Sequence, residues 1–171
     1  MLYFEQRRIP AALTAVDHTL ELNPNNTLAL ADRGRALVML GRAEEAFGPL
    51  ERAMRLSPRD PLLFAWQTIT GMAHLHLGHD DQAVAWLSRA VDASPKSPTA
   101  RLLLASALGA AGRIDEARRQ VAELKRLVPR VTIARFRASE VSDDPTFLRQ
   151  RERLYEGLRR AGLAEQDGAS R

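Results

Sequence analysis

The chain has no cysteine among its 171 residues. A disulfide framework and a thiolate metal site are therefore both excluded. Lysine is nearly missing as well, with Lys96 and Lys125 the only two among 25 basic residues. Aromatic residues make up 5%. No segment approaches the roughly 18 consecutive apolar residues that a membrane span needs. The opening MLYFEQRRIP lacks a long apolar core behind a basic flank, so it does not read as a secretory signal. These absences predict a cytoplasmic protein. A net charge of +4 and a pI near 10.3 would suit a nucleic-acid partner. Only residues 98–130 are clearly basic, however, with 7 basic residues against 3 acidic, and no aromatic is interleaved there for base stacking. Nucleic acid is not expected as a partner. Catalytic signatures are missing too: there is no phosphate-cradling glycine loop, no G-x-S-x-G, and no carboxylate pair away from helix starts. Neither a catalytic residue nor a cofactor is predicted.

What is present is periodic punctuation. Pro24, Pro58, Pro95 and Pro129 are separated by 34, 37 and 34 residues, and Gly41, Gly78 and Gly112 by 37 and 34. The phrases that follow the glycines are alike: GRAEEAF, GHDDQAV and GRIDEAR. A 34-residue period signals stacked helical hairpins, and the three extra residues are the PLL at 61–63. Each unit reads as two helices. The first stops at the glycine, which accepts a left-handed conformation. The second opens with acids that complement the helix dipole and is ended by proline. Small residues recur where helices must approach closely, Ala46, Ala83 and Ala117 at one position and Gly34, Gly71 and Ala105 at another.

The register also disposes of the metal-like HLHLGHDD at 74–81. His74 falls on a core-facing position, equivalent to Leu37 and Leu108. His76 falls on the inner, concave side, equivalent to Met39 and Ala110. Two residues apart on a helix is about 200° around the axis, so those rings cannot share an ion. His79 lies in the turn, and Asp80 with Asp81 are helix-start acids. The expectation is a partly buried His74 bonded to a neighbour, two polar surface histidines and no metal.

These repeats resemble the tetratricopeptide repeat family over residues 27–60, 64–97 and 98–131. A partial first repeat covers 1–26, whose second helix lies at about 9–23. The large aromatic usual early in the first helix is replaced by Leu30, Gln67 and Arg101. The small residue usual late in the second helix is Ala53 and Ala90 but Leu124 in the last repeat. The resemblance implies an all-α fold, a right-handed superhelical solenoid of antiparallel helix pairs. It also implies a non-catalytic module that binds a protein or peptide in the groove lined by the first helices. In this register the groove is Leu28, Arg35, Val38, Met39, Met72, Leu75, His76 and Leu102. It lacks the lysine and asparagine set with which some relatives clamp a terminal carboxylate. Its apolar character with two methionines suits an amphipathic helix, or the protein's own tail.

Residues 132–164 are predicted to be a linker and a carboxyl-terminal capping helix. Asp144 is its N-cap and Pro145 its first helical residue, and Phe147, Leu154 and Leu158 form a stripe flanked by Leu148 and Tyr155. Residues 165–171 are predicted to be disordered. The segment TIARFRASEVSDDPTFLRQRERLYEGLRRAGLAE (132–165) also resembles the ending of repeat-bearing bacterial class III adenylate or guanylate cyclases, and of repeat-bearing transcriptional regulators. That resemblance implies a regulatory role beside a catalytic or DNA-binding domain outside this chain. Met1 to Arg8 supply only a stub of the helix that should pair with 9–23. The face so exposed offers self-association as an alternative.

Overall fold

The computed structural model describes residues 8–166, and all regular structure among them is helical. The order is α1 (Ile9–Leu22), α2 (Thr27–Met39), a 3-10 turn (Ala43–Ala46) running into α3 (Phe47–Leu56), α4 (Leu63–His76), α5 (Asp80–Ala93), α6 (Pro98–Ala110), α7 (Ile114–Leu127), α8 (Ile133–Ala138) and α9 (Pro145–Arg160). Helix α1 packs on α2, α2 on α3, α4 on α5 and α6 on α7, and each pair stacks on the next. The expected stub at the start of the chain and most of the expected disordered tail, 167–171, lie outside the described residues.

The three turn glycines do what their spacing suggests. Gly41, Gly78 and Gly112 have φ of 70°, 77° and 76°. In each case the residue after the glycine donates its amide to the carbonyl five residues back: Arg42 to Leu37, His79 to His74 and Arg113 to Leu108, all at 2.9 Å. This closes the first helix with a Schellman motif and turns the chain into the second. One repeat departs from the pattern. Helix α3 begins at Phe47, four residues late, after a 3-10 turn. Pro49 is the cause, because it has no amide to give the Glu45 carbonyl and the first turn must tighten.

Packing between paired helices follows a volume rule. A β-carbon on Gly34 would lie 2.6 Å from Leu50 Cγ, and one on Gly71 would lie 2.5 Å from Leu87 Cγ. The third repeat carries Ala105 and, at the position of those leucines, Val121, both buried. One methylene-sized group has moved from one helix to the other and the sum is unchanged. Gly71→Ala should therefore cost about 1–2 kcal/mol, overpacking partly offset by helix propensity. Adding Leu87→Val should recover about 1 kcal/mol beyond additivity. Urea unfolding of the two single variants and the double variant measures this coupling.

The carboxyl-terminal helix does not close the end of the stack as expected. Asp144 is its N-cap, accepting from the amides of Thr146 (2.8 Å) and Phe147 (2.9 Å). Its main partners are the first helices α6 and α4, not the terminal α7. Helix α9 therefore runs across the concave side. Glu165, expected in the disordered tail, is held by its carbonyl, which accepts the Ala134 amide at 2.9 Å. The neighbouring Ala164 carbonyl accepts the Ile133 amide at 3.0 Å. Ile133, Ala161 and Leu163 of the tail and Leu124 of the last repeat all belong to the main buried cluster.

Candidate functional site

The concave side is built from four rows of equivalent residues on α2, α4 and α6. Leu28, Ala65 and Thr99 form the first row, and Asp32, Ile69 and Leu103 the second. Arg35, Met72 and Ser106 form the third, and Met39, His76 and Ala110 the fourth. The residues of the first two rows line two cavities. A cavity of about 380 Å³ is lined by Leu28, Asp32, Arg35, Leu62, Ala65 and Ile69 among others. A second, of about 360 Å³, shares Arg35, Ala65 and Ile69 and continues over Met72 and Leu103 to Phe136 of α8. The lining is mostly apolar, with Arg35, which pairs with Asp32 at 3.2 Å, Arg151 and a few hydroxyls as its polar groups.

Parts of the last two rows, at Met72, Ser106, Met39 and His76, meet the tail. Ser106 Oγ donates to the Leu154 carbonyl at 2.7 Å, and Ser142 Oγ donates to the Met39 carbonyl at 2.5 Å. Arg151 reaches Met72 Sδ at 3.7 Å. The Phe147 ring meets the His76 ring edge-on, with centroids 5.4 Å apart. At the far end, helix backbones touch: a β-carbon on Gly109 would lie 2.1 Å from the Gly157 oxygen, and one on Gly157 would lie 2.2 Å from the Ser106 oxygen.

Of the predicted groove residues, Leu28, Arg35, Met39 and Met72 line the open cavities. Val38, Leu75 and Leu102 do not line them, because each sits one position off the lining rows and is buried. His76 is not a surface residue. It is 6% exposed, beneath Phe147. Leu62, Ala65, Ile69, Leu103 and Phe136 are further lining residues that the register did not mark. Leu62 belongs to the inserted PLL, which interrupts the register, and Ile69 is the equivalent of a charged residue, Asp32.

Histidine chemistry follows from this placement. His74 is half-buried and stacks on Phe47 at 4.4 Å. Its Nδ1 lies 3.4 Å from that of His79, a contact made by the turn at Gly78. Burial, then the His79 charge, lowers the His74 pKa. Neither ring nitrogen of His76 has a hydrogen-bond partner among the described residues. Burial, with Arg151 nearby, pushes its pKa down to about 3. The unfolded chain binds a proton there near the ordinary value of about 6.5, so stability is lost as pH falls below that value. At pH 4.5 the loss from this site should be about 3 kcal/mol. Urea unfolding at pH 7.5 and 4.5 should show that loss, and His76→Leu should shrink it by about that amount. Among the described residues, no three metal-capable side chains converge.

Comparison with known proteins agrees with the repeats. Two family models, both described as Tetratricopeptide repeat, match residues 1–61 and 75–138. Among solved structures, MamA residues 41 to the end from Desulfovibrio magneticus RS-1 superposes with a TM-score of 0.65 at 20% identity, covering 90% of this chain and 87% of that one. YrrB, "a TPR protein with an unusual peptide-binding site", gives 0.61 at 26% identity, covering 94% and 79%. TTC0263, a thermophilic TPR protein in Thermus thermophilus, gives 0.62 at 22%, covering 90% and 79%. The expected right-handed all-α solenoid of antiparallel helix pairs is thus the observed fold class. No curated protein matches the sequence. Neither family match reaches beyond residue 138, and none of these likenesses shows the expected resemblance of the tail to a cyclase ending.

Proposed function

The chain belongs to the tetratricopeptide repeat family, and on that premise we propose that it is a non-catalytic scaffold that binds a protein or peptide partner in the open half of its concave groove. The observation that carries this reading is the pair of adjoining cavities over Leu28, Leu62, Ala65 and Ile69, apolar and wide enough for two or three side chains. Pockets of this size lined by aliphatic side chains with a few placed polar groups are where peptides anchor. The likeness to YrrB, described as having a peptide-binding site, supports the same reading. Arg35, paired with Asp32, gives the groove a polar edge beside its apolar floor, so the favoured segment carries bulky apolar residues. The setting is cytoplasmic, and among the described residues no helix is long and apolar enough to cross a membrane.

The test is a photo-reactive residue placed at Leu62, used to capture a partner from source cells, paired with Ile69→Glu. Ile69 is only partly buried, so the variant should fold with a Tm within a few degrees of wild type. Capture should fall at least tenfold in that variant. Capture that ignores Ile69→Glu would place the partner elsewhere on the molecule.

A further inference from the structure

We propose that residues 132–165 form a releasable latch, a self-contained helical unit that docks over the lower rows of the groove and lifts off as a body while the repeats stay folded. The meaning of its release, more groove for a partner, rests on the function proposed above.

The first observation is that most of the tail's charged contacts are internal to it, although Arg153 pairs with Asp80 of α5 across the seam. Arg151 Nε donates to Glu140 Oε1 at 3.0 Å, and the Tyr155 hydroxyl bonds the same carboxylate. Arg137 pairs with Glu152 at 2.8 Å, and the Arg151 guanidinium lies 4.8 Å from the Phe136 ring centre. Ile133 and Ala134 bond back to the carbonyls of Ala164 and Glu165. Every partner in this set lies between 133 and 165. The buried ion pair is internal to the tail, so undocking rehydrates it without separating its charges.

The second observation is the character of the seam. The buried residues among the repeats are mostly leucine, alanine and valine, with the half-buried His74 stacked on Phe47 between the first two. Thr68 and Thr70, buried in α4, bond carbonyls of their own helix at 2.7 and 2.9 Å. Buried polar groups gather instead where the tail meets the repeats: His76, Ser106, Ser142 and Arg151. Among the described residues, His76 has hydrogen-bonding capacity that the docked tail leaves unmet. A seam of mixed polarity resembles the surface between partners that separate more than the interior of one body. Its hinge is the non-helical stretch 128–132 between α7 and α8, which contains Pro129.

Two measurements test this on the full chain. Native-state hydrogen exchange of the wild type should show α9 amides at least tenfold less protected than those of α4 and α6, through one shared opening. Equal protection would mean the tail opens only with the whole fold and would overturn the proposal. In the second, a fluorescent peptide of residues 132–165 is titrated into wild type and Gly157→Ala. The added methyl would meet the Ser106 carbonyl, so the tethered copy is weakened while the peptide keeps the native glycine. The peptide should bind the variant at least tenfold more tightly. No gain by a folded variant would overturn the latch; should the variant fail to fold, the exchange result decides alone. Ile69→Glu should move neither readout, which separates failure of the latch from failure of the partner groove.

Discussion

Arg151→Ala should cost the folded chain about 3–5 kcal/mol, the range for removing one member of a buried ion pair. The side chain of Arg151 is 9% exposed and that of its partner Glu140 is 7% exposed. Burial already pulls the two away from charge, raising the Glu140 pKa and lowering that of Arg151, and each restrains the shift of the other. Without the guanidinium, Glu140 keeps the Tyr155 hydroxyl but loses its buried counter-charge. Its folded-state pKa then rises further, so the native state binds a proton that the unfolded chain does not. Stability consequently falls as pH rises through the Glu140 range, and the deficit of the variant should be larger at pH 8 than at pH 5. Glu140→Gln in the same chain should return a good part of the loss, because a buried carboxylate charge that has lost its Arg151 partner is gone. Urea titrations of the four chains at both pH values measure this. Equal losses for Arg151→Ala and the double variant would show that the stacking of the guanidinium over Phe136 and Phe147, not its pairing with Glu140, is what matters there.

Gly109→Leu should also lower stability, by about 3 kcal/mol or more, although it makes the third repeat look like the first two. Val38 and Leu75 hold the equivalent positions, and leucine is the better helix former by nearly 1 kcal/mol. Both considerations favour the substitution and both should lose. The backbone of α9 occupies the space: Gly157 oxygen lies 2.1 Å from where even one carbon would stand, and a backbone oxygen cannot rotate away. Thermal unfolding by circular dichroism is the check, with α9 amide exchange to show that the damage is at the docking seam. A stable variant with α9 still protected would mean that the two helices can part by more than an ångström at little cost.

How legible all this was depends on the kind of residue involved. Helix ends were readable because single residues set them: Gly41, Gly78, Gly112 and Gly162 all take positive φ, and Asp144 with Pro145 starts α9. Pro49 carried a readable warning about α3 that periodicity alone overlooks. The docking of α9 was harder, since an amphipathic stripe says that a helix buries one face and not against what. Three signals pointed there. Gly109 interrupts an apolar position in mid-helix, Gly157 does the same in α9, and Arg151 falls on the stripe between Phe147 and Leu154, where it is buried. A glycine inside a helix costs about 1 kcal/mol, so a facing pair of them marks two backbones in contact. The burial of His76 followed from the same docking and could not be read from its own helix.

The path of α9 has a mechanical consequence. In an open array of repeats, each unit touches only its neighbours, and overall curvature is the sum of small rotations that can each drift. Here one rod is anchored at Met39 and Gly41 by Ser142 and Gln150, passes His76 and ends against Ser106 and Gly109. It acts as a strut across three units, so their rotations can no longer vary independently. Stretching or tightening the arc requires the strut to slide or detach. The molecule should behave as a fixed arch with the tail in place and as a spring without it.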